Sequence, residues 1–321
     1  MKLKQFFDNK EKKPKISYYS DGKTIQFISE YNENDQIIKL TEYQEDGKTI
    51  KFIKEYNEHG QNTKTTNYLS DGKTIWEIEE YNENEKLVKK TSCHPNGKFI
   101  YEYNPNGQKI KETFYPGDGK TISFIEEYNE NEKLVKRTEY YSDGKTIYFI
   151  HEHNKNETLI KKTYYYFDGK TIRFIREYNE NGQKIKQTGY YFDGTIYYIH
   201  EYNANCQIIK KTKYNPEGTT INYINEFNKH GQKTKATFYR DDGKTIQFIH
   251  EFNKRDQKIK TIWYNDDDKN ILRIKEYTKN KKFFKQTFYN FDGTIKNIIE
   301  YHSDGTIKNI IEYHSDGTIK K

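Results

Sequence analysis

The sequence has few of the residues that build disulfide frameworks, metal centres or thick apolar cores. Its 321 residues include two cysteines, one methionine and five prolines, and only 32% of them are apolar. Cys93 and Cys206 are 113 positions apart and have no neighbours at ligand spacing, so we expect neither a disulfide nor a zinc site. No apolar run approaches the ~20 residues of a membrane-spanning helix, and the N-terminal residues lack the apolar stretch of a signal peptide. The sequence therefore predicts neither a membrane span nor a secretory signal.

Low apolar content combined with 32% charged residues and a mean hydropathy of −1.19 is typical of disordered chains. The aromatic residues argue against disorder, because 31 tyrosines and 19 phenylalanines recur in fixed register. Large amphipathic rings can cover a sheet that has no thick core. The net charge of +7 is too small, and too mixed in sign, to indicate nucleic acid by itself. We therefore predict a folded, thin protein with many half-buried rings.

A repeat of 25 residues runs along the chain and is introduced by an Asp-Gly pair in the phrase DGKTIxFIxEYN. In the first copy, residues 24–31 are rich in β-branched and aromatic residues and follow the turn signal Asp21-Gly22, which favours a strand. Residues 37–43 form a second strand-like segment, and residues 32–36 between the two are typical of a hairpin loop. Each copy therefore predicts two strands.

The repeat defines the predicted organisation of the whole chain. We expect a basic N-terminal segment at 1–16, about eleven hairpin repeats over 17–293, and two 12-residue half-repeats with a truncated third over 294–321. The half-repeat TIKNIIEYHSDG occurs twice without change near the C-terminus, so the elementary unit is one strand with one turn. The predicted fold class is all-β: an elongated antiparallel meander of more than twenty strands, coiled into a twisted ribbon or superhelical sheet.

Charge suggests a register for the hairpin. If Glu30 faces Lys39, then Ile28 faces Thr41 and Tyr31 faces Ile38. One face then carries residues 24, 26, 28, 30, 39, 41 and 43, and we expect it to be a solvated ladder. The other face carries residues 25, 27, 29, 31, 38, 40 and 42 and is the predicted core face. A β-bulge near Phe27 and Ile28 would turn both of these side chains inward.

The segments EYNENGQKIKQTGYY and DGTIYYIHEYN resemble known β-repeats. They are similar to the YD repeats of Rhs-type and teneurin-like proteins and to MORN-variant repeats, but Gly182-Gln183-Lys184-Ile185 stands where YD repeats have Gly-Arg-Leu. The phrase DGKTIxxIxEYN, with its Lys, Asn, Ile and Tyr bias, resembles a tandem-repeat domain of unknown function found in phytoplasma proteins. This resemblance covers residues 17–319 and implies a stack of β-hairpins with no assigned activity.

The sequence contains no strong candidate for a catalytic or metal-binding site. His151, His200 and His250 share one register position, but other copies carry Lys, Glu, Arg or Asn there, which indicates a variable exposed position. The run Asp266-Asp267-Asp268 is more typical of a degenerate turn than of a calcium loop. No nucleophile recurs beside a base, and no glycine-rich phosphate loop opens a helix. We expect no cofactor, no metal and no enzymatic activity.

Repetition itself gives one candidate site, a strip of amines and rings in which a lysine is followed four residues later by a tyrosine. Such a strip suits a glycan or a polyanion, although pairing of each lysine with a glutamate across the hairpin explains the pattern equally simply. The candidate binding residues are Lys39, Tyr43, Lys64, Tyr68, Lys136, Tyr140, Lys161, Tyr165, Lys186, Tyr190, Lys210 and Tyr214.

These patterns leave three hypotheses of function. The first is a non-enzymatic repeat scaffold for an unknown protein partner, recognised through positions such as Ser29, Leu40 and Glu42 that differ between copies. The second is glycan or polyanion binding along the lysine and tyrosine strip. The third is a toxin-associated role, as a shell fragment or an antitoxin-like protein. Lys320 and Lys321 alone protect the C-terminal sheet edge, which is therefore a candidate site of self-association.

Overall fold

The computed structural model describes residues 13–117, 119–266, 269–278 and 282–320. Most of the predicted N-terminal segment 1–16, together with Asp267, Asp268 and Lys321, lies outside these residues. The described residues contain strands and turns and no helix. They divide into two compact units, unit 1 at residues 1–157 and unit 2 at residues 158–321.

The described part of unit 1 contains twelve strands, eight of which have seven residues. They are β1 Lys15–Tyr18, β2 Ile25–Tyr31, β3 Ile37–Tyr43, β4 Ile50–Tyr56, β5 Asn62–Tyr68, β6 Ile75–Tyr81, β7 Leu87–His94, β8 Gly97–Tyr103, β9 Lys109–Pro116, β10 Phe124–Tyr128, β11 Leu134–Tyr140 and β12 Ile147–His153.

The described part of unit 2 contains thirteen strands, twelve of which have seven residues. They are β13 Leu159–Tyr165, β14 Ile172–Tyr178, β15 Lys184–Tyr190, β16 Ile196–Tyr202, β17 Ile208–Tyr214, β18 Ile221–Phe227, β19 Lys233–Tyr239, β20 Ile246–Phe252, β21 Lys258–Tyr264, β22 Ile271–Tyr277, β23 Phe283–Tyr289, β24 Ile295–Tyr301 and β25 Ile307–Glu312.

Within each unit, every strand pairs antiparallel with the next strand in the chain. Strands that are not consecutive make no contact in the described part of either unit, so each unit is a single-layer meander. The prediction of an all-β meander with more than twenty strands is confirmed. A one-layer sheet has no second sheet to pack on, and its side chains are consequently half-buried by their neighbours on adjacent strands.

The Asp-Gly turn is held by a side-chain cap. The carboxylate of Asp21 accepts hydrogen bonds from the backbone N–H groups of Lys23 and Thr24, both at 2.9 Å, and from the Thr24 hydroxyl. These bonds, the one from the hydroxyl first, lower the pKa of Asp21 below its usual value. Gly22 has φ +66°, a conformation that glycine adopts without strain. The DGKT phrase is therefore a complete turn motif.

The second turn type is built on asparagine. Asn32 Oδ1 accepts from the backbone N–H groups of Asn34, at 2.9 Å, and Gln36, at 3.0 Å, while Asn32 Nδ2 donates to Gln36 Oε1 at 2.9 Å. The residue before the glutamine has positive φ in this copy and in several others: +62° at Asp35 and +76° at Gly60. The recurring Asn-x-x-Gly-Gln pattern therefore reflects one hairpin geometry.

The register follows the charge prediction with one error. Glu30 faces Lys39 and Ile28 faces Thr41, as predicted, but Tyr31 faces Ile37 because Ile38 is the extra residue of a β-bulge. A second bulge lies at the other end of the strand, where Tyr18 faces Ile25 and skips residue 26. The predicted bulge near Phe27 is thus present one residue earlier. It leaves the side chains of Phe27 and Ile28 on opposite faces.

Burial does not follow the predicted assignment of the faces, because both faces contain buried residues. The most regularly buried residues are the threonines of the Thr41 position, with exposed fractions of 6% at Thr41, 4% at Thr113 and 5% at Thr188. Each lies between two isoleucines on the neighbouring strands, as Thr41 lies between Ile28 and Ile53. The face predicted to be a solvated ladder therefore contains the buried central row. The cause is packing of isoleucine against threonine within the layer.

Candidate functional site

Each unit has two chemically different faces, which follow from the pairing because residues directly opposite one another point to the same side. We call one the ladder face; it carries the residues at the positions of Ile28, Glu30, Lys39, Thr41 and Tyr43. We call the other the variable face; it carries three rows across the strands. The first row pairs the Phe27 and Glu42 positions, the second pairs Ser29 and Leu40, and the third pairs Tyr31 and Ile37.

The ladder face carries all twelve predicted binding residues. Their lysines form ion pairs with glutamates of the preceding strand: the Nζ–Oε distance is 3.1 Å for Lys39 with Glu30 and 2.9 Å for Lys136 with Glu127. Lys64, Lys186 and Lys210 have matching ion pairs at 3.1, 3.4 and 3.2 Å, and Lys161 faces Glu177 in the register. The strip therefore alternates in charge from strand to strand.

The tyrosines and lysines of the strip occupy different positions along each strand. Tyr43 lies four residues beyond Lys39 on one strand, which is about 13 Å at the strand rise of ~3.3 Å per residue. The buried Thr41 lies between them, and Tyr43 faces Ile50. Burial raises the pKa of Tyr140 and of Tyr190 above the usual value. The amines and rings thus form two separate rows, and their role in glycan or polyanion binding stays a prediction.

The variable face differs from copy to copy. In the second row of unit 2 the residues change at almost every strand, whereas the ladder face repeats isoleucine, threonine, glutamate and lysine. Ser29, Leu40 and Glu42, the positions predicted to vary, all lie on this face. From β13 to β23 the second row reads Lys162, Arg176, Gln187, His200, Lys211, Asn225, Ala236, His250, Thr261, Lys275 and Gln286.

In unit 1 the charges of the variable face are paired. Arg137 binds two carboxylates, Glu126 at 2.8 Å and Glu139 at 2.9 Å, and Lys109 binds Glu112 at 2.9 Å. Lys90 contacts Glu77 in the same way. The three rows from β2 to β12 contain six glutamates against four cations, Lys54, Lys90, Lys109 and Arg137. This face is close to neutral.

The variable face of unit 2 has a different composition. Its three rows contain no aspartate or glutamate from β13 to β24, and aromatic rings alternate with cations. The nine cations of the three rows are Lys162, Arg176, Lys184, Lys211, Lys213, Lys233, Lys258, Arg273 and Lys275. The cations and rings together form a positively charged, half-buried surface.

Two of the three histidines singled out in the sequence lie in this surface. The His200 ring stacks on Tyr198 with a centroid distance of 4.4 Å, and the His250 ring lies 5.0 Å from that of Phe248. Burial, reinforced by nearby lysines, lowers the pKa of both histidines to about 4. Both imidazoles are therefore neutral at neutral pH. Among the described residues, no group of three His, Cys, Asp or Glu side chains is placed to hold a metal ion.

Sequence reasoning missed the cation and ring surface of unit 2. Two signals were available. Lys184, Lys233 and Lys258 occupy the position that holds Ile37 in the first copy. Charge is also unevenly distributed, since residues 158–321 carry 30 Lys and Arg against 20 Asp and Glu, and residues 1–157 carry 25 against 28. The net charges are +10 and −3.

The repeat is also that of a known family, described as "Protein of unknown function (DUF2963)". Its profile matches ten overlapping stretches: 7–42, 18–65, 43–92, 93–139, 117–164, 140–189, 165–214, 190–238, 214–263 and 239–288. The chain belongs to this family. Most matched stretches are about two 25-residue repeats long, so the family unit corresponds to a pair of hairpins. The resemblance to a repeat domain of unknown function is confirmed. No curated protein matches the chain.

Solved structures resemble the chain only remotely. TarM of S. aureus is 13% identical over 32% of this chain, which spans 20% of TarM's length, with a TM-score of 0.25. The TcdB2-TccC3 structure is 10% identical over 95% of this chain and 23% of its own, with a TM-score of 0.15. A porin-like protein from Bacteroides uniformis is 8% identical over 76% of this chain and 92% of its own, also with a TM-score of 0.15. In the described part of the chain, no helix has the length and apolar character needed to cross a membrane.

Proposed function

We propose that the chain is a non-enzymatic repeat scaffold that binds a protein partner through its variable face. The observation that carries this proposal is the segregation of the repeat's varying positions, such as Ser29, Leu40 and Glu42, onto one face of the layer. The row of isoleucines and buried threonines that repeats in nearly every copy occupies the other face. The hairpin backbone can therefore stay the same while the side chains on its variable face change from copy to copy.

A varied surface suits an irregular partner. A regular polymer presents the same group at each step and would be matched best by a regular surface, whereas a folded protein presents a different group at each point. Each strand contributes about three side chains to the variable face. A typical protein interface uses ~20–30 residues a side, so seven to ten neighbouring strands are sufficient.

Site-specific photo-crosslinking tests the proposal with adjacent residues as matched controls. A photoreactive amino acid replaces Lys211, on the variable face of β17, or Lys210, on its ladder face; Lys54 and Glu55 form the same comparison on β4. In extract from the source cells, we expect the same protein to be captured at Lys211 or Lys54 and not at their neighbours. Equal capture at Lys210 and Lys211 contradicts the proposal, and capture of a glycan or polyanion at Lys210 alone favours the ladder strip instead.

A further inference from the structure

We infer that the variable face of unit 2 binds an acidic polypeptide segment. This inference rests on the proposed function and adds the chemistry of the partner. Unit 2 has a net charge of +10. The three rows of its variable face contain nine cations and no carboxylate between β13 and β24. The lysines of the ladder face, by contrast, alternate with glutamates.

Five cations of this surface contact aromatic rings. The Nζ atom of Lys184 lies 3.9 Å from the centroid of the Tyr202 ring, and the Nζ atom of Lys233 lies 4.4 Å from that of Phe252. The Nζ of Lys258 is 4.6 Å from the Tyr277 centroid, the guanidinium of Arg273 is 4.3 Å from the Trp263 centroid, and Lys211 lies over Phe227 at 5.5 Å. None of these five cations has an ion-pair partner within the described residues.

Positive charges crowd one another here. Lys184 and Lys211 both act on His200, and Lys233 and Lys258 both act on His250, in the direction that opposes protonation. An anionic partner would relieve this repulsion and add charge-assisted hydrogen bonds to amines that are already oriented by the rings. The rings themselves supply apolar contact area at low cost in side-chain entropy.

The positions of the cations favour a polypeptide over a single-stranded nucleic acid. Strong binding of single strands uses bases stacked on the faces of aromatic rings. Here the faces of Tyr202, Phe252 and Tyr277 are covered by lysine ammonium groups, which a base would have to displace. A carboxylate of an acidic side chain can contact the same ammonium groups without moving them. The surface is therefore better arranged for glutamate and aspartate than for nucleotides.

The test uses the full chain and two probes of similar charge, a fluorescein-labelled 20-residue poly-L-glutamate and a labelled 20-nucleotide oligo-dT. The test variant is the triple substitution Lys184→Gln, Lys233→Gln, Lys258→Gln. Its matched control removes the same charge from the opposite face of the same three strands, and is Lys186→Gln, Lys235→Gln, Lys260→Gln. Far-UV circular dichroism checks that both variants keep the wild-type β signal.

We expect wild-type chain to bind poly-L-glutamate more tightly than oligo-dT in fluorescence anisotropy, with affinity falling as salt rises. The test variant should bind about tenfold more weakly than wild type, and the control within about twofold. The inference is overturned if wild-type chain does not bind the glutamate peptide, if both variants lose affinity equally, or if oligo-dT binds more tightly than the peptide. In the first case, continued photo-capture at Lys54 or Lys211 would show that the proposed scaffold function stands while its acidic partner class is wrong.

Discussion

In the asparagine turn, the residue before the glutamine allows a quantitative prediction of hairpin stability. Gly231 has φ +76° and nothing within 4 Å of an added Cβ, so Gly231→Ala changes the backbone preference without a clash. Cys206 occupies the equivalent position with φ +58° and is exposed. A non-glycine residue in this conformation costs about 1–2 kcal/mol, and glycine costs about 0.5–1 kcal/mol in extra freedom of the unfolded chain. We therefore expect Gly231→Ala to destabilise its hairpin by about 0.5–1 kcal/mol, and Cys206→Gly to stabilise its own by the same amount.

Native-state hydrogen exchange is the suitable assay, because repeat arrays open locally and a global midpoint averages over many hairpins. The reporting amides are those of the substituted residues, which donate to Asn228 O at 3.0 Å and to Asn203 O at 2.9 Å. Cys206→Ser is the control, since it replaces the thiol but keeps a non-glycine residue at positive φ, and should leave protection unchanged. The account of the turn is refuted if Cys206→Gly and Gly231→Ala shift protection in the same direction, or if Cys206→Ser gives the full gain.

Three further predictions concern packing, pH and surface charge. Gly97→Ala should break the pairing of β8 with β9 around Gly97, since the new Cβ would lie 2.2 Å from the carbonyl oxygen of Tyr115 on β9; a loss of β signal on circular dichroism tests this. Because the pKa of His200 and of His250 is depressed to about 4 in the folded chain, their contribution to stability is complete above about pH 6.5 and is lost as pH falls toward 4. The thermal midpoint should therefore fall over that range by less in the double His→Gln variant, and equal slopes would contradict the pKa assignment. Lys136→Met should lower the free energy of urea unfolding by less than about 1 kcal/mol, because the side chains of its ion pair are 38% and 43% exposed and water screens their attraction; a larger loss would mean that the ladder is a cooperative network.

The hairpins and most of the register were predictable because the sequence encodes them locally. Asp21 and Asn32 carry the turns through their own side chains, and the pairing of Glu30 with Lys39 set the register correctly. The pairing of Tyr31 with Ile37 was not predictable, since simple alternation gives no sign that a bulge displaces Ile38.

Burial was misjudged for a different reason. Counting apolar residues assigns the core to the face with Phe27 and Leu40, as if a second layer covered it. In a single layer, burial comes from neighbouring strands, and a short threonine such as Thr188 between isoleucines is covered more completely than a large ring. The surface of unit 2 could be found only once the strand pairing brought Lys184, Lys233 and Lys258 to one face.

Radical footprinting of adjacent aromatic residues on opposite faces tests the central claim, that a partner binds the variable face. Trp263 lies on the variable face of β21 and Tyr264 on its ladder face; Tyr164 and Tyr165 form the same comparison on β13. Oxidation is measured by mass spectrometry with and without the protein captured at Lys211. We predict that binding protects Trp263 or Tyr164 and leaves Tyr264 and Tyr165 unchanged. Protection of Tyr264 or Tyr165 without their neighbours would contradict the assignment of the interaction surface.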